Sequence, residues 1–153
     1  MTEHVLRHPV GLLHLLVAIL GIAFGSVVIL SEKGTAAHKW FGRAYVIMMV
    51  AINLSAFMIY EVYGRFALFH WMAVFSLLTV LAGYMPARTR KPNWRARHAY
   101  FMSASYVGLL AALAAEILTR TPWLPFLGAV GIASTAVIVL GLIIMFRRIP
   151  KLL

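Results

Sequence analysis

Residues 9–31, PVGLLHLLVAILGIAFGSVVILS, decide the class of this protein. They form a long apolar run in which His14 is the one ionisable side chain. About 20 apolar residues in a helix are enough to cross the hydrocarbon core of a bilayer. The run is too long for a signal peptide, and neither a clearly basic leader nor a convincing cleavage site flanks it. We therefore predict a retained transmembrane helix.

Four further apolar runs follow, and the sequence predicts five transmembrane helices at residues 9–31, 39–60, 66–85, 98–118 and 124–146. The 153-residue chain is 63% hydrophobic and 12% charged, unlike a soluble globular protein. We expect an all-α membrane protein with one transmembrane domain, residues 1–153. The absence of cysteine excludes disulfides, thiolate metal sites and iron–sulfur clusters.

The formal net charge of +10 is distributed unevenly between the predicted loops. The first and third connections and the C-terminal tail are basic, whereas glutamates offset the arginines of the remaining connections. Because positive loops stay in the cytoplasm, we predict an outer N-terminus and a cytoplasmic C-terminus in the cell (inner) membrane. Membrane insertion accounts for the basic residues, so nucleic-acid binding is not expected.

Polar side chains predict some local contacts. Thr35 and Asn93 precede the second and fourth runs and are expected to cap those helices. Asn53 and Ser55 lie inside the second run, where hydrogen bonding to another helix is the usual role of such groups.

Four histidines, His14, His38, His70 and His98, stand near the starts of the first four runs. Ionisable residues inside a membrane indicate functional sites. At a rise of about 1.5 Å per residue, His14 and His70 form an outer pair and His38 and His98 an inner pair. This placement predicts a four-helix bundle made of two helix-pair repeats, with the fifth helix outside it.

Two imidazoles that meet at one depth are the axial ligands that a b-type haem requires. The sequence therefore predicts one or two haem groups held by the outer and inner pairs, in a membrane electron carrier and candidate oxidoreductase. Near the inner pair, the cations expected to neutralise the propionates are Lys39, Arg43, Arg95 and Arg97.

Two alternatives remain open. A zinc or copper ion could be held at the outer face by His14, His70 and either Glu116 or Glu61, and the inner histidines are candidate metal ligands as well. The chain could instead be a small transporter, which would need a homodimer to form a pathway.

Three motifs carry a family resemblance. The stretch from Lys33 to Tyr45 (KGTAAHKWFGRAY), the Phe69-His70-Trp71 triplet and the stretch from Arg95 to Met102 (RARHAYFM) resemble a family of small predicted bacterial membrane proteins of unknown function. The likeness covers roughly residues 11–116. It implies a multi-pass membrane protein without implying an activity.

The arrangement of one histidine per helix is also similar to that of the transmembrane di-haem cytochromes b. This architectural resemblance implies that His14 with His70, and His38 with His98, are axial ligand pairs. It further implies exchange of electrons with quinone or another small redox partner at one face.

Overall fold

The protein is all-helical in the residues that this computed structural model describes, 9–60 and 64–151. Its elements are α1 (Pro9–Leu30), α2 (Ala36–Ala56), α3 (Leu68–Thr89), α4 (Trp94–Leu118), α5 (Phe126–Arg148) and a 3₁₀ turn (Ile149–Lys151). Each helix overlaps one predicted run. The helix α3 continues past its predicted end because Pro86 removes only its own N–H, and the Arg90 N–H still bonds the Pro86 carbonyl at 2.8 Å.

Within residues 9–60 and 64–151, four helical segments are long and apolar enough to cross a membrane: α1, α3, α4 and α5 together with its 3₁₀ turn. Between 17% and 22% of the residues in the most apolar stretch of each span are buried inside the protein, which leaves most of them some surface for lipid contact. The second helix, α2, falls short because Lys39, Arg43 and Asn53 lower its hydropathy. The described part of the chain thus shows four candidate spans, and the fifth stays a prediction.

The chain divides into two compact units within α3, between Leu78 and Thr79. In the first unit α1 and α2 form an antiparallel hairpin. The ring of Phe24, late in α1, lies 6.1 Å from the ring of Phe41, early in α2. At the other end, the His14 ring contacts Ser55. The hairpin therefore brings the start of α1 to the end of α2.

In the second unit α4 packs against α5, again antiparallel. The rings of Tyr100 and Phe146 are 5.9 Å apart near the start of α4 and the end of α5. Small residues, among them Ala129 and Ala133, line the buried face of α5, which lets the two backbones approach closely.

Both predicted caps stand at helix N-termini, but only that at Thr35 makes a capping bond. Thr35 Oγ1 accepts the His38 N–H at 3.2 Å and so caps α2. Asn93 stands at the N-cap position of α4, but its side chain makes no capping bond. Its left-handed backbone, φ 60°, differs from the extended conformation from which a cap side chain reaches the first turn.

Lys33 caps the C-terminal end of α1, a role that was not predicted from the sequence. Its ammonium group donates to the carbonyls of Val28, Ile29 and Ser31 at 2.6–2.9 Å. Partial burial lowers the pKa of Lys33, whereas the three carbonyl contacts favour its charged form. A cation at a helix C-terminus also interacts favourably with the helix dipole.

Candidate functional site

His14, in the second turn of α1, makes a hydrogen bond between helices. Its Nδ1 lies 2.8 Å from Ser55 Oγ. The Ser55 hydroxyl is directed at the carbonyls of Ala51 and Ile52, at 2.8 and 2.9 Å, so its oxygen is the acceptor for His14. This assigns the proton of the His14 ring to Nδ1 and leaves Nε2 as the unprotonated nitrogen.

His70, in the first turn of α3, is the most buried of the four histidines, with 3% of its surface exposed. Its Nδ1 accepts the Ala67 N–H at 3.2 Å, which assigns the proton of a neutral ring to Nε2. The Nε2 atom is itself buried and has no hydrogen-bond partner within residues 9–60 and 64–151. Because buried polar atoms are normally paired, this atom calls for an explanation.

Three aromatic rings surround the His70 imidazole. The ring centroids of Tyr60, Phe66 and Phe57 lie 4.6, 4.8 and 6.4 Å from that of His70. Phe57 and Phe66 are also nearly parallel to each other, at 10°. The three rings form an aromatic box around the imidazole, whose Nε2 is buried.

The two predicted outer histidines thus reach the same short segment at the end of α2. His14 bonds Ser55, and the His70 ring contacts Phe57 and Tyr60, so both imidazoles meet residues 55–60. We name this group, His14, Ser55, Phe57, Tyr60, Phe66 and His70, the outer-end cluster. It lies wholly within the first unit.

His98, in the second turn of α4, has the environment typical of a ligand histidine. Its Nδ1 lies 2.9 Å from the carbonyl oxygen of Gly83 in α3. A carbonyl can only accept, so Nδ1 carries the proton and Nε2 is the unprotonated nitrogen. Gly83 is held against α4, since a Cβ there would lie 2.9 Å from the backbone nitrogen of Met102.

His38 belongs to the first unit and His98 to the second. The backbone N–H of His38 is bound by the Thr35 cap, and its ring is partly buried. A shared inner centre between these two histidines stays a prediction.

Of the two carboxylates predicted as metal ligands, Glu116 lies within the described residues and Glu61 does not. Glu116 is exposed and forms an ion pair with Arg120 at 2.8 Å, one helical turn further along the chain. Within the two described ranges, no three His, Asp or Glu side chains are grouped closely enough to hold a metal ion.

The four cations predicted to neutralise propionates are all exposed. The Arg95 guanidinium lies over the Trp94 ring, 5.6 Å from its centroid. Arg97 lines a surface groove together with Lys91. Lys39 and Arg43 extend from the first two turns of α2.

Sequence reasoning found the four histidines and the interhelical role of Ser55, but it missed the partners of His70 and His98. The aromatic box consists of ordinary apolar residues, which no spacing rule distinguishes from lipid-facing ones. The Gly83 carbonyl is a backbone group, so its role depends on helix packing alone. Asn53, expected to bond another helix, donates instead to the Met49 carbonyl of its own helix at 2.7 Å.

These features define an α-helical membrane protein with several apolar helices suited to spanning a bilayer. The family model described as "Predicted membrane protein (DUF2306)" matches residues 11–149, and the chain belongs to this family. The match confirms the resemblance to a family of unknown function and extends beyond residue 116 through α5. No curated protein and no solved structure gives a significant match.

Proposed function

We propose that this chain is a membrane-embedded b-type cytochrome in which His14 and His70 hold one haem at the outer-end cluster. The observation that carries the proposal is the buried Nε2 of His70, which has no hydrogen-bond partner among the described residues. His70 belongs to the outer-end cluster together with His14. An axial bond to iron is one way to satisfy such an atom.

The protonation of His14 supports the proposal directly. Its Nδ1–H is bound to Ser55, which makes Nε2 the nitrogen that would coordinate iron and fixes the plane of the ring. Ligand histidines almost always donate their second N–H to an oxygen in this way.

To serve as a ligand, His70 would have to change tautomer, and the side chains that cover its buried Nε2 would have to make way for the iron. To coordinate through Nε2 it must release that proton, and the neutral ring then carries a proton on Nδ1. The bond from the Ala67 N–H to Nδ1 would be lost. A typical hydrogen bond contributes about 1 kcal/mol, a small cost beside the formation of a metal bond.

Two histidines at one cluster suit haem iron. Zinc sites use three or four protein ligands, whereas haem iron needs two axial ligands and receives its other four from the porphyrin. The described residues provide two histidines at the outer-end cluster and no group of three metal ligands. Bound haem would supply one-electron transfer.

The other residues of the cluster would position and shield the group. Phe57, Tyr60 and Phe66 provide flat apolar surfaces and keep water away from His70. Low polarity around a haem is one of the means by which proteins set its potential. Arg65, exposed beside Phe66, is a cation suited to a propionate.

The first test is the visible spectrum of protein purified after expression with ample haem supply. We expect a Soret band and sharp α and β bands on reduction. The variant His70→Phe keeps an aromatic ring inside the box and removes Nε2, and we expect it to lose the low-spin spectrum. The matched variant Tyr60→Phe removes only a hydroxyl and should retain it. A colourless wild type, or a His70→Phe spectrum equal to that of the wild type, would refute the proposal.

We also propose five spans with an outer N-terminus in the cell membrane. The short connection 31–35 and the antiparallel packing of α2 along the spanning helix α1 support this topology. Because the chain lacks cysteine, single cysteines report cleanly on sidedness. With an impermeant maleimide on whole cells, Arg65→Cys and Thr121→Cys should label, while Glu32→Cys and Lys91→Cys should not. Labelling of Glu32→Cys together with Arg65→Cys would show that α2 does not cross the membrane.

A further inference from the structure

A groove of about 340 Å³ lies where α3 ends and α4 begins. Its walls are mainly apolar and include Ala82, Met85 and Phe101. Two side chains that line it are ionisable, Lys91 and Arg97, and both are cations. The groove therefore combines apolar walls with two cationic side chains, and it lies within the second unit.

The backbone of the connection is ordered where Lys91 lines the groove. Arg90 and Asn93 adopt left-handed conformations, with φ of 50° and 60°, which turn the chain sharply between the helices. The Trp94 N–H donates to the Lys91 carbonyl at 3.0 Å and closes the turn. The position of Lys91 beside the groove thus follows from ordered backbone.

The location indicates what kind of molecule would fit. Both α3 and α4 are candidate membrane spans, so their connection lies at a membrane–water interface. Trp94, the first residue of α4, lines the groove as interfacial tryptophans commonly do. Met85 and Phe101 are 54% and 40% exposed, so the apolar wall continues onto the outer surface of the helices.

We propose that this groove binds an anionic phospholipid, with the phosphate near Lys91 and Arg97 and the glycerol and acyl chain along Met85 and Phe101. Basic pockets beside transmembrane helices are suited to such headgroups. Among the described residues, no carboxylate lines the groove to repel the phosphate. A soluble phosphate compound would use the cations but leave the apolar wall without a partner.

The test is native mass spectrometry of the full-length protein in detergent, with dioleoyl-phosphatidylglycerol, dioleoyl-phosphatidylcholine or glycerol phosphate added. We expect adducts with the anionic lipid in preference to the other two. In Lys91→Gln/Arg97→Gln, the affinity for phosphatidylglycerol should fall about 30-fold, at roughly 1 kcal/mol for each cation lost.

Two further variants make the result decisive. Arg147→Gln/Arg148→Gln removes the same charge from the exposed end of α5 and should retain the lipid. Ala82→Phe fills the groove while keeping both cations, and it should lose the lipid even if the double glutamine variant does not fold. Equal loss in both double variants, equal binding of phosphatidylcholine, full competition by glycerol phosphate, or unchanged binding by Ala82→Phe would each overturn the proposal.

Discussion

His14 Nδ1 donates a hydrogen bond of 2.8 Å to Ser55 Oγ, and this bond joins the second turn of α1 to the last turn of α2. The two residues are 41 positions apart in sequence. Because the Ser55 hydroxyl hydrogen is directed at its own helix, the bond also decides which nitrogen of His14 is protonated. This one hydrogen bond thus joins α1 to α2 and sets which nitrogen of the His14 ring carries the proton.

Replacing Ser55 by alanine should weaken haem binding if the proposed function is correct. The Nδ1–H of His14 would lose its acceptor and the ring its fixed orientation, and partners of this kind change metal affinity about 10- to 100-fold. Haem titration of the apoprotein, followed at the Soret band, measures the effect. Ser26→Ala is the control, since the Ser26 hydroxyl donates to Ile22 within α1. Equal affinities in the two variants would contradict the role of Ser55.

Replacing Gly83 or Gly108 by alanine should change the stability of the protein in opposite directions. A Cβ at Gly83 would lie 2.8 Å from the Met102 side chain and 2.9 Å from its backbone nitrogen, so α3 and α4 would have to separate. Gly83→Ala should cost about 1–3 kcal/mol. At Gly108 the space is open, and alanine should stabilise α4 by about 0.5–1 kcal/mol.

Thermal unfolding in detergent distinguishes these two glycine variants. We expect the Tm of Gly83→Ala to fall and that of Gly108→Ala to stay level or rise. If both fell equally, the close approach of α3 and α4 at Gly83 would be disproved.

Substitutions at Thr35 and Asn93, which precede α2 and α4, should also change stability in opposite directions. Thr35→Ala removes the bond to the His38 N–H and should destabilise α2 by about 1 kcal/mol. Asn93→Gly loses no capping bond and places at a left-handed position the residue that adopts it most readily, so it should stabilise α4 slightly. Urea or thermal unfolding of both variants checks the difference, and a loss of stability in Asn93→Gly would argue that its side chain has a role.

Lys33→Met should lower the Tm by removing the three bonds that close α1. The carbonyls of Val28, Ile29 and Ser31 would lose their common donor, at a cost of about 1 kcal/mol because water can replace much of it. Lys151→Met removes the same charge from the exposed final turn and should leave the Tm unchanged. A similar fall in both would indicate an effect of net charge instead.

Much of this molecule could be predicted residue by residue. The apolar run at 9–31 predicts α1 almost to its last residue, because burial of the backbone in lipid leaves a helix as the way to satisfy its polar groups. The Thr35 cap follows from a hydroxyl placed before a helical run. The end of α3 could not be predicted in the same way, since Pro86 usually marks a boundary and here lies inside the helix.

By itself, the sequence determined the membrane class, the helices and the four histidines, since these depend on local composition and spacing along the chain. Only the tertiary structure decided that His14 donates to Ser55, that His98 donates to Gly83, and that His70 lies in an aromatic box with its Nε2 unpaired among the described residues. The physical reason is that protonation and burial of an imidazole depend on atoms that packing brings from other helices and turns.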